Sequence, residues 1–266
     1  MSIKRKILNS VASRKVVYNI QNFFYKNDGY ENKELLEQYQ KDGIVVLPKF
    51  FSQEDCQKII AILEDSISKE KENKLEKNIK TIKNTQVYNN GKRVIYSFSY
   101  PKDFEDIYKI VENPELKSIC EYLNRSKLIE MQHWIKRVYA VAENKEKRLM
   151  NESWHQDSGG LSMIRFIVYL RDIDEKQGPF QYILGSHTKN IKNPSVYITK
   201  NPDKKFIVKG KAGDVVIADV TSGWHRAGIV SQGERDTLQV AYTTKFSDTI
   251  NKIFNFGSYL NTYGDK

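Results

Sequence analysis

Cysteine is scarce in this sequence of 266 residues, which contains only Cys56 and Cys120. Two cysteines are too few for a disulfide framework, and they lack the close paired spacing of a zinc site. We expect Cys56 to be a small core residue on the apolar face of a helix. The absence of a disulfide framework suits a reducing compartment, so the sequence predicts a cytoplasmic protein.

Long hydrophobic runs are also missing. No stretch approaches the roughly 18 apolar residues that a membrane-spanning helix needs. The basic start of the chain is not followed by the continuous apolar segment of a secretory signal. An apolar content of 39%, with 12% aromatic residues, is nevertheless enough for a packed core and argues against disorder.

Acidic residues are absent from the first 27 positions, which carry six of the cations behind a net charge of +10. Apolar side chains recur at helical spacing among these cations, at Leu8, Ala12, Val16, Ile20 and Phe23. Residues 1–30 are therefore predicted to be a basic amphipathic segment. One interpretation is a helix packed on the protein exterior with a solvated basic face. The alternatives are peripheral contact of residues 1–27 with an anionic membrane or an acidic partner, and an organellar transit peptide.

The first half of the chain has mainly helical patterns. Short helical and strand patterns cover Asn32–Gln40 and Ile44–Leu47, and Ser52 with Asp55 resembles a capping box. The helix that follows should run to about Lys71. Further helices are predicted over 101–123. The charged run from residue 69 to 83 predicts a solvated helix end or a loop, ahead of an Asn-Asn-Gly turn at 89–91.

The pattern changes to short strands from Leu128 onward. Predicted strands separated by glycine turns cover 128–142, 164–170, 180–184, 206–208, 215–218 and 237–243. Many short strands after a helical first half favour a mainly β fold with flanking helices, of the β-sandwich or jelly-roll type. No change in composition requires a second domain, so residues 31–266 are predicted to form one.

Two histidines and a carboxylate form the candidate metal site. His155 and Asp157 are two residues apart, and side chains at that spacing share one face of a strand. His225 follows a second apolar run. Two His and one carboxylate are the facial triad of non-haem Fe(II) oxygenases, which leaves coordination positions open. For a single isolated histidine, a hydrogen-bonded core position would be the simpler interpretation.

The motifs around this triad carry a family resemblance. Their order is Trp154–Asp157, an apolar strand, Gly178-Pro179-Phe180, Gly185-Ser186-His187, Gly213–Val216, His225 and Arg235. From about Asp42 to Phe246, this order resembles the phytanoyl-CoA dioxygenase family. The resemblance implies a double-stranded β-helix, of jelly-roll or cupin-like type, that uses Fe(II), 2-oxoglutarate and O₂. It further implies hydroxylation of an unactivated C–H bond with release of succinate and CO₂. Because Asp157 is present, the resemblance favours oxygen insertion over halogenation.

The resemblance also assigns co-substrate contacts. Arg235 would hold the distal carboxylate of 2-oxoglutarate, for which a planar guanidinium is suited, and an ion pair with Glu234 or Asp236 is the alternative. Gln132 is a second predicted co-substrate contact. For Trp224 and Tyr169, pocket lining and a place in the core remain open.

The sequence also bears on three alternative functions. The same cofactors also support desaturation, cyclisation or epimerisation. A non-enzymatic binding module that docks through the basic N-terminus is a further alternative, which the intact triad and Arg235 disfavour. Nucleic-acid repair dioxygenases have a second arginine six residues after the first, and Ala241 occupies that position here. We therefore expect no nucleic-acid partner.

The substrate is predicted to be a small molecule, and its identity is not encoded in a recognisable motif. Three segments predicted as loops would shape selectivity, namely Lys71–Lys92, Glu143–Asn151 and Thr188–Asp203. Three cations in the middle segment, Lys145, Lys147 and Arg148, would favour an anionic, carrier-linked or lipid-linked substrate. Because Glu143 and Glu146 offset part of that charge, a plain solvated loop is the preferred interpretation of this segment.

Overall fold

The computed structural model describes residues 25–26, 29–88, 91–140, 152–157, 162–245 and 247–249, with four single positions between 16 and 23. Most of the basic N-terminal segment lies outside the described residues. So does the loop prediction for Glu143–Asn151, with Lys145, Lys147 and Arg148. The single-domain prediction for 31–266 stays a prediction. Within the described residues, no helix combines the length and apolar character that a membrane span requires.

Two helices of the first half each begin at a side-chain cap. Helix α1 (Lys33–Asp42) starts after Asn32, whose side chain accepts a hydrogen bond from the Leu35 backbone N–H. It ends at Gly43, which adopts a left-handed conformation with φ 79°. Helix α2 (Gln53–Lys71) starts after Ser52, whose hydroxyl accepts from the Asp55 N–H. The predicted bounds of both helices are confirmed to within two residues.

Three shorter helices also have both ends within the described residues. They are α3 (Glu105–Val111), α4 (Pro114–Asn124) and α5 (Pro194–Lys200). Asn113 and Asn193 cap the last two, each followed by a proline in the first turn. Short 3₁₀ turns cover Ser186–Thr188 and Pro202–Lys204.

Within the described residues, ten strands form two antiparallel sheets. The larger sheet has the order β1-β8-β5-β10-β4-β3-β2, and the smaller sheet has the order β7-β6-β9. The strands are β1 (Ile44–Leu47), β2 (Lys80–Tyr88), β3 (Gly91–Ser99), β4 (Leu128–Tyr139), β5 (Met163–Tyr169), β6 (Phe180–Ile183), β7 (Lys205–Val208), β8 (Val215–Asp219), β9 (His225–Ala227) and β10 (Glu234–Thr244).

Side-chain alternation gives the larger sheet two buried faces. The outer face, with Phe166 and Leu238, packs against helical residues such as Ile59 in one hydrophobic cluster. The inner face, with Ile167, packs against residues of the smaller sheet such as Tyr182 in a second cluster. Two antiparallel sheets packed face to face, with helices on one side, confirm the prediction of a mainly β, jelly-roll fold with flanking helices.

Two segments predicted as loops are ordered instead. The Lys71–Lys92 prediction was wrong because β2 pairs with β3 over its whole length, from Lys80 opposite Ser99 to Tyr88 opposite Gly91. The backbone hydrogen bonds to β3 stabilise β2 as a strand, although its charged sequence does not indicate one. The Thr188–Asp203 prediction was wrong because it contains α5, which the Asn193 cap initiates.

Candidate metal centre

His155 and His225 are joined through their backbones. They form an isolated antiparallel bridge in which each N–H donates to the other's carbonyl, at 3.0 Å in both directions. His225 begins β9 and is paired with Tyr182 of β6 on its other side. Directly opposed residues project their side chains from the same face. The two imidazole centroids are accordingly 4.3 Å apart.

Asp157 reaches the same point from a segment that is not a strand. The expectation that His155 and Asp157 share a strand face was wrong in its detail, because only His155 makes a β-bridge. The Asp157 N–H donates instead to the Val220 carbonyl at 2.8 Å. This contact places Oδ1 at 3.6 Å from Nε2 of each imidazole. One ligand atom from each of the three side chains lies within 4.8 Å of the others.

Backbone carbonyls fix the orientation of both imidazoles. Nδ1 of His155 lies 2.8 Å from the Ser153 carbonyl, and Nδ1 of His225 lies 3.0 Å from the Gly223 carbonyl. A carbonyl can only accept, so each Nδ1 carries a hydrogen, and a ring in its neutral form then has its lone pair on Nε2. Histidine ligands of metals are commonly oriented by a bond of this kind.

The protonation states suit a cation. Burial, together with the neighbouring His225, lowers the pKa of His155 and keeps its ring neutral. Burial alone would raise the pKa of Asp157, but Arg165 and the two imidazoles outweigh it and hold the pKa below its usual value. Metal binding requires deprotonated ligands, and the neutral ring of His155 and the ionised carboxylate of Asp157 meet that requirement.

Arg165 is a site residue that sequence reasoning missed. Its guanidinium lies 2.8 Å from Oδ2 of Asp157. That oxygen is buried and makes no hydrogen bond of good geometry, so the pair is held by charge and proximity. The signal available in the sequence was a single cation inside the apolar run 164–170. The buried, ionised carboxylate fits a metal ion, which would supply the further positive charge.

Arg235 lies on the inner face of β10. Its NH1 donates to the carbonyls of Gly178 and of Gly228, the latter at 3.0 Å. The acidic neighbours Glu234 and Asp236, the predicted alternative partners, form ion pairs with Arg137 and Arg171. In place of the predicted ion pair with Glu234 or Asp236, Arg235 has hydrogen bonds that hold its guanidinium between the carbonyls of Gly178 and Gly228.

The remaining predicted site residues have different settings. Gln132 is paired with Ala241 of β10 and is partly buried. Tyr169 is 1% exposed, and its hydroxyl donates to the Val208 carbonyl at 2.7 Å and accepts from the Phe180 N–H, so it is a core residue. Trp224 is partly buried, and its backbone N–H donates to the Ser186 hydroxyl. Their roles toward a ligand stay predictions.

Lys136 and Gln239 were also missed. The Gln239 side-chain carbonyl accepts from Nζ of Lys136 at 3.3 Å and from NH1 of Arg165 at 3.4 Å. Its amide donates to the Thr237 hydroxyl. Burial, with Arg165 nearby, lowers the pKa of the Lys136 ammonium to about 7. A polar chain thus connects Lys136 through Gln239 and Arg165 to Asp157.

Comparison with known proteins agrees with this architecture. A family model described as phytanoyl-CoA dioxygenase (PhyH) matches residues 39–236. Among curated proteins, none matches the sequence. At least three solved structures share the fold, each at 20% identity or below.

Two of these structures are of enzymes from nogalamycin biosynthesis. The epimerase SnoN, in complex with Fe³⁺, alpha ketoglutarate and nogalamycin RO, is 18% identical with a TM-score of 0.59, over 80% of this chain and 83% of its own. The non-heme alpha ketoglutarate dependent carbocyclase SnoK is 20% identical with a TM-score of 0.59, over 83% and 87%. HygX from Streptomyces hygroscopicus, with nickel, 2-oxoglutarate and hygromycin B bound, is 16% identical with a TM-score of 0.54, over 81% and 88%.

Proposed function

Because this chain belongs to the phytanoyl-CoA dioxygenase family and is an Fe(II)- and 2-oxoglutarate-dependent oxygenase, we propose that His155, Asp157 and His225 hold its iron. The observation that carries this proposal is the convergence of the three donors, with both imidazoles turned by backbone carbonyls. Three ligands on one face leave coordination positions for 2-oxoglutarate and O₂, and the bound iron supplies the oxygen chemistry.

Arg235 is the proposed anchor for the distal carboxylate of 2-oxoglutarate. Its guanidinium is held by the Gly178 and Gly228 carbonyls, which restrict its position before a ligand arrives. The acids on either side of it are engaged by Arg137 and Arg171, so they do not compete for it. Gln132, on the inner face of β4, is a proposed further contact to the co-substrate.

The proposed reaction is hydroxylation of an unactivated C–H bond in a small molecule, with release of succinate and CO₂. Solved structures of this fold hold hygromycin B and nogalamycin RO, which supports a small-molecule substrate here. The epimerase and carbocyclase among them make a different oxidative outcome the second candidate. The free, buried thiols of Cys56 and Cys120 support a cytoplasmic location as part of the proposal.

Succinate release from a library of small molecules, in the presence of Fe(II) and 2-oxoglutarate, tests the proposal, with His155→Ala as the blank.

Arg235→Lys should raise the KM for 2-oxoglutarate about tenfold or more, because an ammonium cannot form the two-point contact of a guanidinium. Arg125→Lys, at the end of α4, is the matched control. Product mass and stereochemistry distinguish hydroxylation from epimerisation or cyclisation. Succinate release by His155→Ala at the wild-type rate would exclude the assigned metal site.

A further inference from the structure

Three cations converge on the inner face of the larger sheet. Lys136 is paired with Thr237, and Arg165 with Ala241, so both share the face of β10 that presents Arg235, Thr237 and Gln239. The inward-facing residues of β4, β5 and β10, as far as the structure describes them, include these three cations and no carboxylate. The nearest acid is the Asp157 carboxylate, which contacts Arg165.

Lys136 and Arg165 share a neutral hydrogen-bond partner. Both donate to the same side-chain oxygen of Gln239, at distances of 3.3 and 3.4 Å. Nε of Arg165 is buried and makes no hydrogen bond. An amide oxygen shared between two cations offsets little of their charge. Burial first, and the nearby cation Arg165 second, lower the pKa of Lys136.

The outer face of the same sheet shows the opposite balance. There Arg137 and Arg171 share the carboxylate of Asp236, which is 0% exposed. Glu64 and Glu234 also contact both guanidinium groups. Two cations thus meet three carboxylates on that side. The positive excess of the inner face is therefore local, and it does not follow from the basic composition of the chain.

Iron and co-substrate do not remove this excess. Fe(II) brings two positive charges and 2-oxoglutarate brings two negative ones, so the pair adds no net charge. When Lys136 is protonated, three cations facing the single carboxylate of Asp157 leave two positive charges inside the loaded site. A buried charge without a counter-charge is costly, so the loaded site is suited to a further anion.

On the basis of the proposed function, we propose that Lys136 and Arg165, linked through Gln239, form a second anion subsite that binds an oxyanion group of the primary substrate. A carboxylate, sulfate or phosphate group has the required chemistry. Arg165 contacts the carboxylate of the metal triad, so a group bound to it lies beside the reaction centre. The subsite therefore selects anionic substrates and fixes which part of the molecule lies at the metal.

Inorganic sulfate is the probe for this subsite, because its charge does not change with pH near neutrality. Sulfate is titrated calorimetrically, under anaerobic conditions and at constant ionic strength, into protein saturated with Fe(II) and 2-oxoglutarate. One sulfate per chain is expected, with Lys136→Met weakening its affinity at least tenfold and Lys136→Arg retaining it. Lys211→Met, which removes an exposed lysine paired with Asp172, should bind sulfate like the wild type. Lys136→Gln replaces the Met variant if circular dichroism shows that the latter does not fold.

Three outcomes would overturn the subsite. The first is that sulfate does not bind, and the second is that it binds equally to wild type and Lys136→Met. The third is that it competes with 2-oxoglutarate, which would assign the cations to the co-substrate. The same titration on protein without Fe(II) and 2-oxoglutarate separates this proposal from the proposed function. If Fe(II) and 2-oxoglutarate do not bind, the proposed function fails, while Lys136-dependent sulfate binding would still support the subsite.

Discussion

The guanidinium of Arg165 lies 2.8 Å from Oδ2 of Asp157, while Oδ1 of the same carboxylate faces both imidazoles. The two oxygens of the Asp157 carboxylate therefore have different neighbours. One is held by a cation of the larger sheet, and the other is free for a metal. This division connects β5 to the segment that carries His155, so the metal site is tied to both sheets.

Asp157→Asn should abolish tight metal binding, because it removes the only anionic donor of the triad. A metal present at 100 times its Kd stabilises a folded protein by about 2.7 kcal/mol. Wild-type protein should therefore show a rise in Tm on addition of Mn(II) or anaerobic Fe(II), and the variant should show none. Asp172→Asn, which changes an exposed acid paired with Lys211, should keep the metal-dependent rise. An equal rise in Asp157→Asn would remove Asp157 from the ligand set.

Gly223 is predicted to be sensitive to a single methyl group. A Cβ at this position would lie 1.7 Å from the Tyr182 hydroxyl oxygen and 2.6 Å from the Asp219 carbonyl oxygen. The backbone must shift to avoid the latter, and the Gly223 carbonyl orients His225. Gly223→Ala should therefore weaken metal affinity about tenfold or more, in line with losses of other orienting contacts.

Metal titrations of Gly223→Ala and of a control variant check this prediction. Gly29→Ala is the control, because a Cβ there meets nothing within 4 Å and the position lies far along the chain from the site. Some loss of stability is expected in the control, since Gly29 has φ 104°. Metal affinity like that of the wild type in Gly223→Ala would show that the Gly223 carbonyl does not control the imidazole.

Much of the architecture was accessible from sequence because its signals are local. Ser52 and Asp55 marked the start of α2, and the motifs around His155 and His225 identified the triad. The Lys136–Gln239–Arg165 chain was not accessible, because it depends on the register of three strands that are distant in sequence. Register is set by the packing of whole strands, and a single residue carries little information about it.

Asp236 should be important for stability rather than for chemistry. It is fully buried and accepts hydrogen bonds from Arg137 Nε at 2.7 Å and from Arg171 Nε at 2.6 Å. Without it, the two guanidinium groups face only the more exposed carboxylates of Glu64 and Glu234. Breaking a buried ion pair costs about 3–5 kcal/mol. Asp236→Asn should therefore lower the free energy of unfolding in urea by roughly that amount.

The matched control for Asp236 is Asp203→Asn, which changes a mostly exposed acid beside Lys204. Exposed ion pairs contribute at most about 1 kcal/mol, so its free energy of unfolding should stay close to that of the wild type. Equal stability of the two variants would mean that Glu64 and Glu234 alone satisfy the two guanidinium groups.

Lys136 should give the stability of the metal-free protein a distinctive pH dependence. Its pKa is about 7 in the folded protein, against an ordinary value of 10.5, because burial and the cations Arg165 and Arg235 oppose its charge while Asp157 favours it. Between these two values the unfolded chain binds more protons at this residue. The contribution of Lys136 to the free energy of unfolding must therefore increase with pH in that window. Below about pH 7 this contribution is constant. Lys136→Met lacks the group, so its advantage in free energy of unfolding over the wild type should be largest below pH 7 and should shrink as pH rises toward 10.

Urea unfolding of both proteins in EDTA at four pH values between 6 and 9 measures this difference, with Lys211→Met expected to follow the wild-type profile across the range. Parallel profiles for wild type and Lys136→Met would show that Lys136 keeps an ordinary pKa in the folded protein.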